Sequence, residues 1–252
     1  MARDTARRVL EVELPDVPRE LDGLRIAHLS DFHLGTPSSG VRAVERAVGW
    51  AAGRRPDLVV ITGDLLTRPR GEQRLRDLVS SLRGPTFAIL GNHDVAISRD
   101  PQARRSKLRD LRPAVLLRDE SRLVEVRGCR VLVAGSHPKL IVRRIRKVDP
   151  NSLSREADLR ILLCHYPRVL DYLEPGRFDL VLAGHMHDGQ ICIPYPGGKL
   201  RLAHRSAPYQ SGVYRSEAAV MHVSPGLGTT FVPFRLAARP EATELVLRAA
   251  LR

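Results

Sequence analysis

The chain has 252 residues, of which 43% are hydrophobic and 27% are charged. These values are typical of a globular protein and exclude a disordered chain, and no apolar run reaches the length of a membrane span. The length predicts a single domain covering residues 1–252. Lysine and arginine number 41 against 28 acidic residues, and the formal net charge of +13 favours anionic partners such as nucleic acid, anionic lipid or phosphorylated substrates.

Short apolar runs bounded by Gly, Pro or Asp predict a series of buried strands along the chain. Residues 9–14 precede them and alternate apolar with charged side chains, which predicts a half-exposed edge strand. The buried strands are predicted at residues 24–29, 58–61, 86–90, 131–134, 159–164, 180–183, 220–223 and 230–234.

Helical patterns lie between several of these runs. Apolar residues recur on one helical face within residues 41–51 and again within residues 75–82. Pro101 after Asp100 predicts the start of a third helix, which runs through residue 111. Strands that alternate with helices predict an α/β fold, and the scarcity of helical patterns from residue 122 onward predicts mixed or antiparallel strand pairing there.

Five of the predicted strands are followed directly by polar residues. A single Asp or His at a strand end is usually a cap or turn residue, but the repetition at five strands needs another explanation. Loops at the carboxyl ends of strands in α/β sheets converge on one crevice, so these clusters are expected to meet. They are Ser30-Asp31-Phe32-His33, Thr62-Gly63-Asp64, Gly91-Asn92-His93-Asp94, His165-Tyr166-Pro167 and Gly184-His185-Met186-His187.

The residue types in these clusters predict a metal centre. Imidazole and carboxylate groups without a thiolate suit Mn²⁺, Fe²⁺ or Fe³⁺, Zn²⁺, Ni²⁺ and Co²⁺, among which we favour Mn²⁺. The candidates are too many for one ion, and two divalent ions about 3.5–4 Å apart are a known device for displacement at phosphorus. The seven candidate ligands are Asp31, His33, Asp64, Asn92, His165, His185 and His187.

The order of the clusters resembles the calcineurin-like metallophosphoesterases. That family carries D-x-H, G-D, G-N-H-D, a lone His and G-H-x-H in this order, and all five blocks stand here between Asp31 and His187. The resemblance implies an α/β fold in which two mixed β-sheets pack as a sandwich flanked by helices, a four-layer arrangement. It also implies a phosphoesterase of the phosphodiesterase or pyrophosphatase type.

The resemblance further implies a role for each residue. Asp31, His33, Asp64 and His187 would hold one ion, while Asp64, Asn92, His165 and His185 would hold the second, with Asp64 as the bridge. A metal-bridging hydroxide would attack phosphorus. His93 would stabilise the developing charge or protonate the leaving oxygen, and Asp94 would orient His93.

A closer resemblance to a bacterial branch of small phosphoesterases extends over nearly the whole chain. It is carried by residues 22–35, by Gly189-Gln190 and by residues 226–230 and 239–241. Many members of that branch have an N-terminal membrane anchor, whereas Glu11 and Glu13 interrupt any such segment here. A cytoplasmic location is therefore expected, with a peripheral place on the membrane as the alternative. The branch usually has glycine where this chain has Asp188.

Four functions remain open at this level. The first is hydrolysis of a phosphate ester on a small molecule, and the second is action on a lipid-linked substrate such as UDP-2,3-diacylglucosamine or a phospholipid, at an anionic membrane. A metal-dependent nuclease is permitted by the charge but not favoured, because few aromatic residues are available for base stacking. A non-catalytic scaffold ranks last because the ligand set is complete, and no protein partner is readable.

Several residues fall outside this scheme. His28 is expected to be a core or surface histidine. His137, His204 and His222 belong to no motif, and His137 is expected to be the one nearest the pocket. The basic residues at 143–147 are expected to form a solvated loop, with an anion-facing lip as the alternative. Three widely spaced cysteines predict no disulfide framework.

Overall fold

A computed structural model describes residues 4–138 and 156–250. The basic cluster at 143–147 lies outside these ranges. None of the helices within them combines the length and the apolarity that a bilayer-spanning segment needs.

The first sheet has six strands in the order β1-β14-β2-β3-β4-β5. β2, β3, β4 and β5 are parallel neighbours, β14 is antiparallel to β2, and β1 is the edge strand that the alternating pattern predicts. The strands are β1 (Ala6–Leu14), β2 (Arg25–Leu29), β3 (Leu58–Thr62), β4 (Thr86–Ile89), β5 (Val115–Leu116) and β14 (Glu241–Ala249).

The second sheet also has six strands, in the order β12-β13-β9-β8-β7-β6. β7, β8, β9 and β13 are parallel neighbours, whereas β6 and β12 pair antiparallel at the two edges, so the mixed pairing predicted for this half is confirmed. The strands are β6 (Glu120–Val126), β7 (Cys129–Gly135), β8 (Leu159–Cys164), β9 (Leu180–Ala183), β12 (Gly212–Arg215) and β13 (Val220–Val223). A separate antiparallel hairpin consists of β10 (Cys192–Tyr195) and β11 (Gly198–Arg201).

The two sheets pack face to face, as the family resemblance implies. Ile26 and Leu58 of the first sheet share one buried cluster with Ile161 and Leu180 of the second. This apolar core holds the sandwich together because each sheet buries apolar side chains of one face in it.

The outer faces are covered differently. α1 (Gly40–Arg54) and α2 (Glu72–Ser80) place their apolar stripes on the first sheet, where Val44, Val48, Leu75 and Val79 are buried. Both helices were predicted from these stripes. A short 3-10 helix, Pro167–Tyr172, covers the outer face of the second sheet.

Two predicted elements are wrong, and in both cases the backbone bonds to distant partners instead. Residues 101–111 form no helix, because Arg104 N–H donates to Thr67 O and Ser106 N–H donates to Asp94 O. Residues 230–234 form no strand. There the side-chain amide of Gln190 donates to the carbonyls of three alternate residues, Thr230, Val232 and Phe234.

A buried histidine pair joins the two sheets below the polar loops. His28 Nδ1 on β2 lies 2.8 Å from His222 Nδ1 on β13, and His28 Nε2 lies 2.9 Å from Thr62 Oγ1. Burial lowers the pKa of both rings, that of His222 to about 3, so neither carries a charge at neutral pH. His28 was predicted to be a core or surface histidine, and the structure places it in the core.

The strand directions decide where the polar clusters meet. β2, β3 and β4 run parallel in one sheet, and β8 and β9 run parallel in the other. The loops that follow these five strands come together at one end of the sandwich.

Candidate metal centre

All seven predicted ligands lie in one cluster. Six of them are buried, and His185 is half-buried at the outer side. The cluster divides into groups whose donor atoms lie within 4.8 Å of one another and could hold a metal ion. The groups are Asp31 with His33 and His187, Asp64 with His165 and His185, and His33 with Asp64 and His93.

The first group contains the residues expected around one ion. Asp31 Oδ1 lies 3.4 Å from His187 Nε2 and 3.9 Å from His33 Nε2, and the two ring nitrogens are 3.0 Å apart. Asp64 Oδ2 lies 3.5 Å from His33 Nε2. Asp64 therefore adds a fourth donor atom beside the three of this group.

The second group contains Asp64, which also lies close to His33 of the first group. Asp64 Oδ2 lies 3.3 Å from His165 Nε2, and Asn92 Oδ1 lies 3.0 Å from the same nitrogen. The His185 ring packs 5.0 Å from the His165 ring, centroid to centroid. One oxygen of Asp64 is thus within 3.5 Å of a histidine from each group, so it could contact an ion held by either group.

Two rings are oriented by their second nitrogen. His165 Nδ1 donates to Thr62 O at 2.8 Å, and His33 Nδ1 lies 3.1 Å from Thr67 Oγ1. A donor at Nδ1 leaves Nε2 as the coordinating atom, which is the usual arrangement behind a metal-binding histidine. The donor set, its burial and these outer contacts fit divalent metal ions.

The backbone at this centre adopts conformations that residues other than glycine rarely take. Five of the seven predicted ligands have positive φ, namely Asp31, His33, Asp64, His185 and His187. Such strain persists only where the surrounding structure imposes it, and it concentrates at functional sites. Gly91 and Gly184 serve a related need, because a Cβ at either would collide with Asp64 or with Ser30 and Asp31.

The carboxyls and histidines of the cluster shift one another's pKa when no cation is bound. Burial alone would raise the pKa of both carboxyls, but His187 lowers that of Asp31 and His165 lowers that of Asp64. Burial lowers the pKa of His165, yet Asp64 and Asp31 outweigh it and raise that pKa to about 9. Burial and His165 lower the pKa of His185 to about 3. His165 is therefore protonated at neutral pH when no cation is bound.

His93 lies beside both groups. Its Nε2 is 2.8 Å from Ser98 Oγ and 3.3 Å from Thr230 Oγ1, and its ring packs 4.5 Å from that of His33. Its Nδ1 is buried and has no hydrogen-bond partner within the described residues. Asp100 Oδ2 lies 4.0 Å from this nitrogen, beyond hydrogen-bond distance.

Asp94 has other partners than expected. Its carboxylate accepts hydrogen bonds from the backbone N–H groups of Gly91, Leu65 and Leu66, so it joins two of the polar loops instead of orienting His93. Burial and the neighbouring Asp64 raise the pKa of Asp94 to about 7, against the three donors. The structure therefore corrects the expectation that Asp94 orients His93. The carboxylate instead accepts hydrogen bonds from the backbone of the turn that carries both residues and of the loop after β3.

Some functional contacts were missed from the sequence. His204, not predicted to approach the pocket, packs 5.2 Å from the His185 ring at the rim. Arg235 was not singled out, although it is fully enclosed beneath His187. A charged residue within the apolar run 231–236 was the available signal, since a buried charge there needs specific partners.

Arg235 fixes His187 from behind. Its guanidinium donates to His187 O at 3.1 Å, to His187 Nδ1 at 2.8 Å, to Pro225 O at 2.9 Å and to Gly228 O at 2.8 Å. Because a guanidinium can only donate, Nδ1 accepts this bond and the proton of a neutral, metal-free His187 lies on Nε2, facing Asp31. Coordination of a metal through Nε2 would require that proton to leave. Burial lowers the pKa of Arg235 to about 10, so it remains a cation at neutral pH.

We expect Arg235→Lys to weaken metal binding about 10- to 100-fold and to lower the free energy of unfolding by about 3 kcal/mol. A lysine ammonium cannot reach acceptors on so many sides at once, so carbonyls of Pro225 and Gly228 lose partners. Metal titration and urea unfolding measure the two effects. Arg70→Lys is the matched control, because Arg70 is exposed and bonds one carbonyl, that of Gly35. Unchanged metal affinity in Arg235→Lys contradicts the positioning role.

Comparison with known proteins identifies relatives over most of the chain. A transmembrane protein with a metallophosphoesterase domain from Danio rerio is 30% identical over 96% of this chain, which spans 58% of that protein's length. The uncharacterized metallophosphoesterase YkoQ of Bacillus subtilis is 26% identical, with 87% of this chain and 82% of YkoQ covered. The UDP-2,3-diacylglucosamine pyrophosphatase LpxG of Chlamydia trachomatis is also 26% identical, with the same two shares.

A family model, that of the calcineurin-like phosphoesterases, matches residues 24–189. The match begins just before β2 and ends two residues after His187, so it contains all five polar clusters. It therefore covers the elements that bring the candidate ligands together. The chain belongs to the calcineurin-like phosphoesterase family.

Proposed function

We propose that this protein is a phosphoester hydrolase that works with two divalent metal ions. The observation that carries the proposal is the position of Asp64, whose Oδ2 lies 3.5 Å from His33 and 3.3 Å from His165. A single shared carboxylate between two sets of imidazoles suits a pair of ions better than one. The seven ligands would be those predicted, divided as the family resemblance implies, with Mn²⁺ as the favoured metal.

The ions, when bound, would polarise the phosphoryl group and make a nucleophile from water at neutral pH. The chain's own residues would supply position and proton transfer. His93 stands beside the cluster with Nδ1 unpartnered and Nε2 held by Ser98, so it can donate a proton to a substrate oxygen. Asp94 would serve indirectly, by holding the turn between Gly91 and His93 against the loop after β3.

Hydrolysis of bis-p-nitrophenyl phosphate tests the proposal. The purified protein should turn over this diester with added Mn²⁺ and stop after chelation, with recovery when metal is restored. Zn²⁺, Co²⁺, Ni²⁺ and Fe²⁺ are compared in parallel, since the ligands suit each of them. Absence of turnover with every metal, in protein shown to bind two ions, would reject the hydrolase and favour the scaffold alternative.

Metal binding is expected to release protons at neutral pH. His165, with its pKa raised to about 9, is protonated at pH 7 without metal and must be neutral to coordinate. Affinity should therefore rise with pH from 7 toward 9, by up to about tenfold per unit for each proton released. Calorimetric titration of Mn²⁺ in two buffers of different ionisation enthalpy measures the release. Identical heats in both buffers would contradict it.

A lipid-linked substrate is the finer proposal. The LpxG relative is named for UDP-2,3-diacylglucosamine, an anionic lipid, and the net charge of +13 favours such partners. Turnover of this substrate or of a phospholipid in vesicles, compared with a soluble diester, tests it. A labelled oligonucleotide that stays intact with Mn²⁺ present would dismiss the nuclease alternative. A peripheral place on a cytoplasmic membrane surface is proposed with it.

A further inference from the structure

Exposed apolar side chains gather on two segments near the metal centre. Thirteen large hydrophobic residues are exposed in the described parts of the chain, and eight of them belong to these segments. Single exposed hydrophobics are normal, but such a concentration marks an interaction surface. We name this surface the apolar rim; it consists of Ile193, Tyr195, Leu200, Leu202, Phe231, Val232, Phe234 and Leu236.

The two segments of the apolar rim form one surface. Cys192 N–H donates to Leu236 O at 2.9 Å, and Leu236 N–H donates to Gln190 O at 3.0 Å, so residues 231–236 lie against the base of the β10–β11 hairpin. The Gln190 side chain also fixes the backbone of this loop by donating to the carbonyls of Thr230, Val232 and Phe234. The apolar side chains are thereby displayed on a fixed backbone.

The hairpin has one polar and one apolar face. Ile193 pairs with Leu200 across the two strands, whereas Lys199 and Arg201 alternate onto the other face. There Asp188 accepts from Lys199 Nζ, from Arg201 Nε at 2.9 Å and from Ser211 Oγ at 3.2 Å. These ion pairs fix the polar face against the protein and turn the apolar face outward.

Asp188 joins the hairpin to the metal centre. It directly follows His187, and its φ of 50° is a conformation that favours glycine. The side chain offsets that backbone cost with three bonds, of which those to Lys199 and Arg201 join the hairpin to the metal-ligand loop. The hairpin's orientation is thus tied to the metal centre.

One end of the apolar rim lies beside the metal centre. Thr230, next to Phe231, places its Oγ1 3.3 Å from His93 Nε2, and Phe231 N–H donates to Asp100 Oδ2 at 3.0 Å. Behind Phe234, Arg42 and Arg46 line a cavity of about 620 Å³ at the start of α1. Basic groups therefore accompany the apolar ones on this side of the molecule.

We propose that the apolar rim docks on an anionic phospholipid bilayer and brings the metal centre to the headgroup layer. Apolar side chains flanked by arginine are the combination that binds membrane interfaces, by burial in the acyl boundary and by attraction to anionic lipids. The charge of the chain, at +13, fits this partner. Access to a lipid-linked phosphoester rests on the proposed function, whereas the docking itself does not.

Vesicle sedimentation tests the docking. The full chain should bind phosphatidylglycerol vesicles more strongly than phosphatidylcholine vesicles. The double variant Ile193→Ser/Tyr195→Ser should bind about a hundredfold more weakly, or about tenfold for each side chain removed. The matched control is Val9→Ser/Tyr172→Ser, which removes an aliphatic residue and a tyrosine of similar exposure, 49% and 48% against 51% and 58%. It should bind like the parent.

A fluorescence measurement locates the contact. In Tyr195→Trp, emission should shift to shorter wavelength when phosphatidylglycerol vesicles are added, while the parent's Trp50 on α1 should report no shift. Equal binding of the Ile193→Ser/Tyr195→Ser variant and the parent would overturn the proposal. A parent that does not bind the vesicles would also overturn the proposal. That outcome includes a parent that light scattering shows to be a dimer joined through the apolar rim.

Hydrolysis of soluble bis-p-nitrophenyl phosphate separates this proposal from the proposed function. The Ile193→Ser/Tyr195→Ser variant should keep parental turnover of that substrate, because neither residue contacts the metal cluster. A parent that binds vesicles without hydrolysing the diester would sustain docking and reject the hydrolase. A parent that hydrolyses the diester but does not bind vesicles would sustain the hydrolase and reject docking.

Discussion

Replacing Asp64 with Asn is expected to remove metal binding from both halves of the centre and to lower phosphodiester hydrolysis roughly a thousandfold or more. The amide keeps the size of the carboxyl and can still accept the hydrogen bond from His93 N–H. It carries no charge, however, and has one oxygen where two groups of imidazoles share a carboxylate. The change therefore acts on metal binding with little change of shape.

Metal analysis of the purified variant and turnover of bis-p-nitrophenyl phosphate measure the result. Asp179→Asn is the matched control, because Asp179 is a half-buried carboxylate at the start of β9, at the opposite end of that strand from His185. It should keep its metal and its activity. A variant at Asp64 that still binds two ions would remove the main support for the bridging role.

The strand ends explain why the convergence of these residues could be predicted from sequence. Each of β2, β3, β4, β8 and β9 is a short apolar run whose polar end is visible in the chain itself. Parallel strands carry their carboxyl ends to the same edge, so local patterns were sufficient to predict that Asp31, Asp64 and His185 would meet. The face-to-face packing of two sheets came from family resemblance, since periodicity alone does not assign strands to sheets.

The contacts that escaped prediction are those between segments far apart in the chain. Thr230 Oγ1 donates to Asp100 Oδ2, and Arg235 reaches His187, across separations that no local pattern records. Long-range bonds of the same kind explain the two wrong elements. The backbone of residues 101–111 donates to Thr67 and Asp94, and carbonyls within residues 230–234 accept from Gln190. Local propensity favoured a helix and a strand, and tertiary hydrogen bonding overrode both.

The extent of the domain stays a prediction, as do the ligand roles. The family match ends at residue 189, while the second sheet needs β12 and β13, and the first sheet needs β14. β14 pairs with β1 and β2 and so joins the end of the described chain to its beginning. Residues beyond the match therefore complete both sheets, which supports the expectation of one domain.

His93→Ala is expected to lower turnover about a hundredfold to ten-thousandfold while two ions remain bound. The imidazole stands beside the ligands with an unpartnered buried Nδ1, which suits a group that meets substrate. An alternative exists in the same geometry, because His93 also lies within metal-binding distance of His33 and Asp64. Metal content distinguishes the two roles, since loss of a ligand would release an ion and loss of a proton donor would not.

The leaving group sharpens this test. If His93 protonates the leaving oxygen, His93→Ala should lose most activity on alkyl esters and least on p-nitrophenyl esters, whose leaving group needs little help. A ligand role predicts equal losses on both, together with recovery at high metal concentration. His204→Ala is the control, because His204 packs against His185 at the rim and approaches the centre without joining its metal-binding groups. Equal losses with full metal content would instead assign His93 to stabilising the charge on phosphorus.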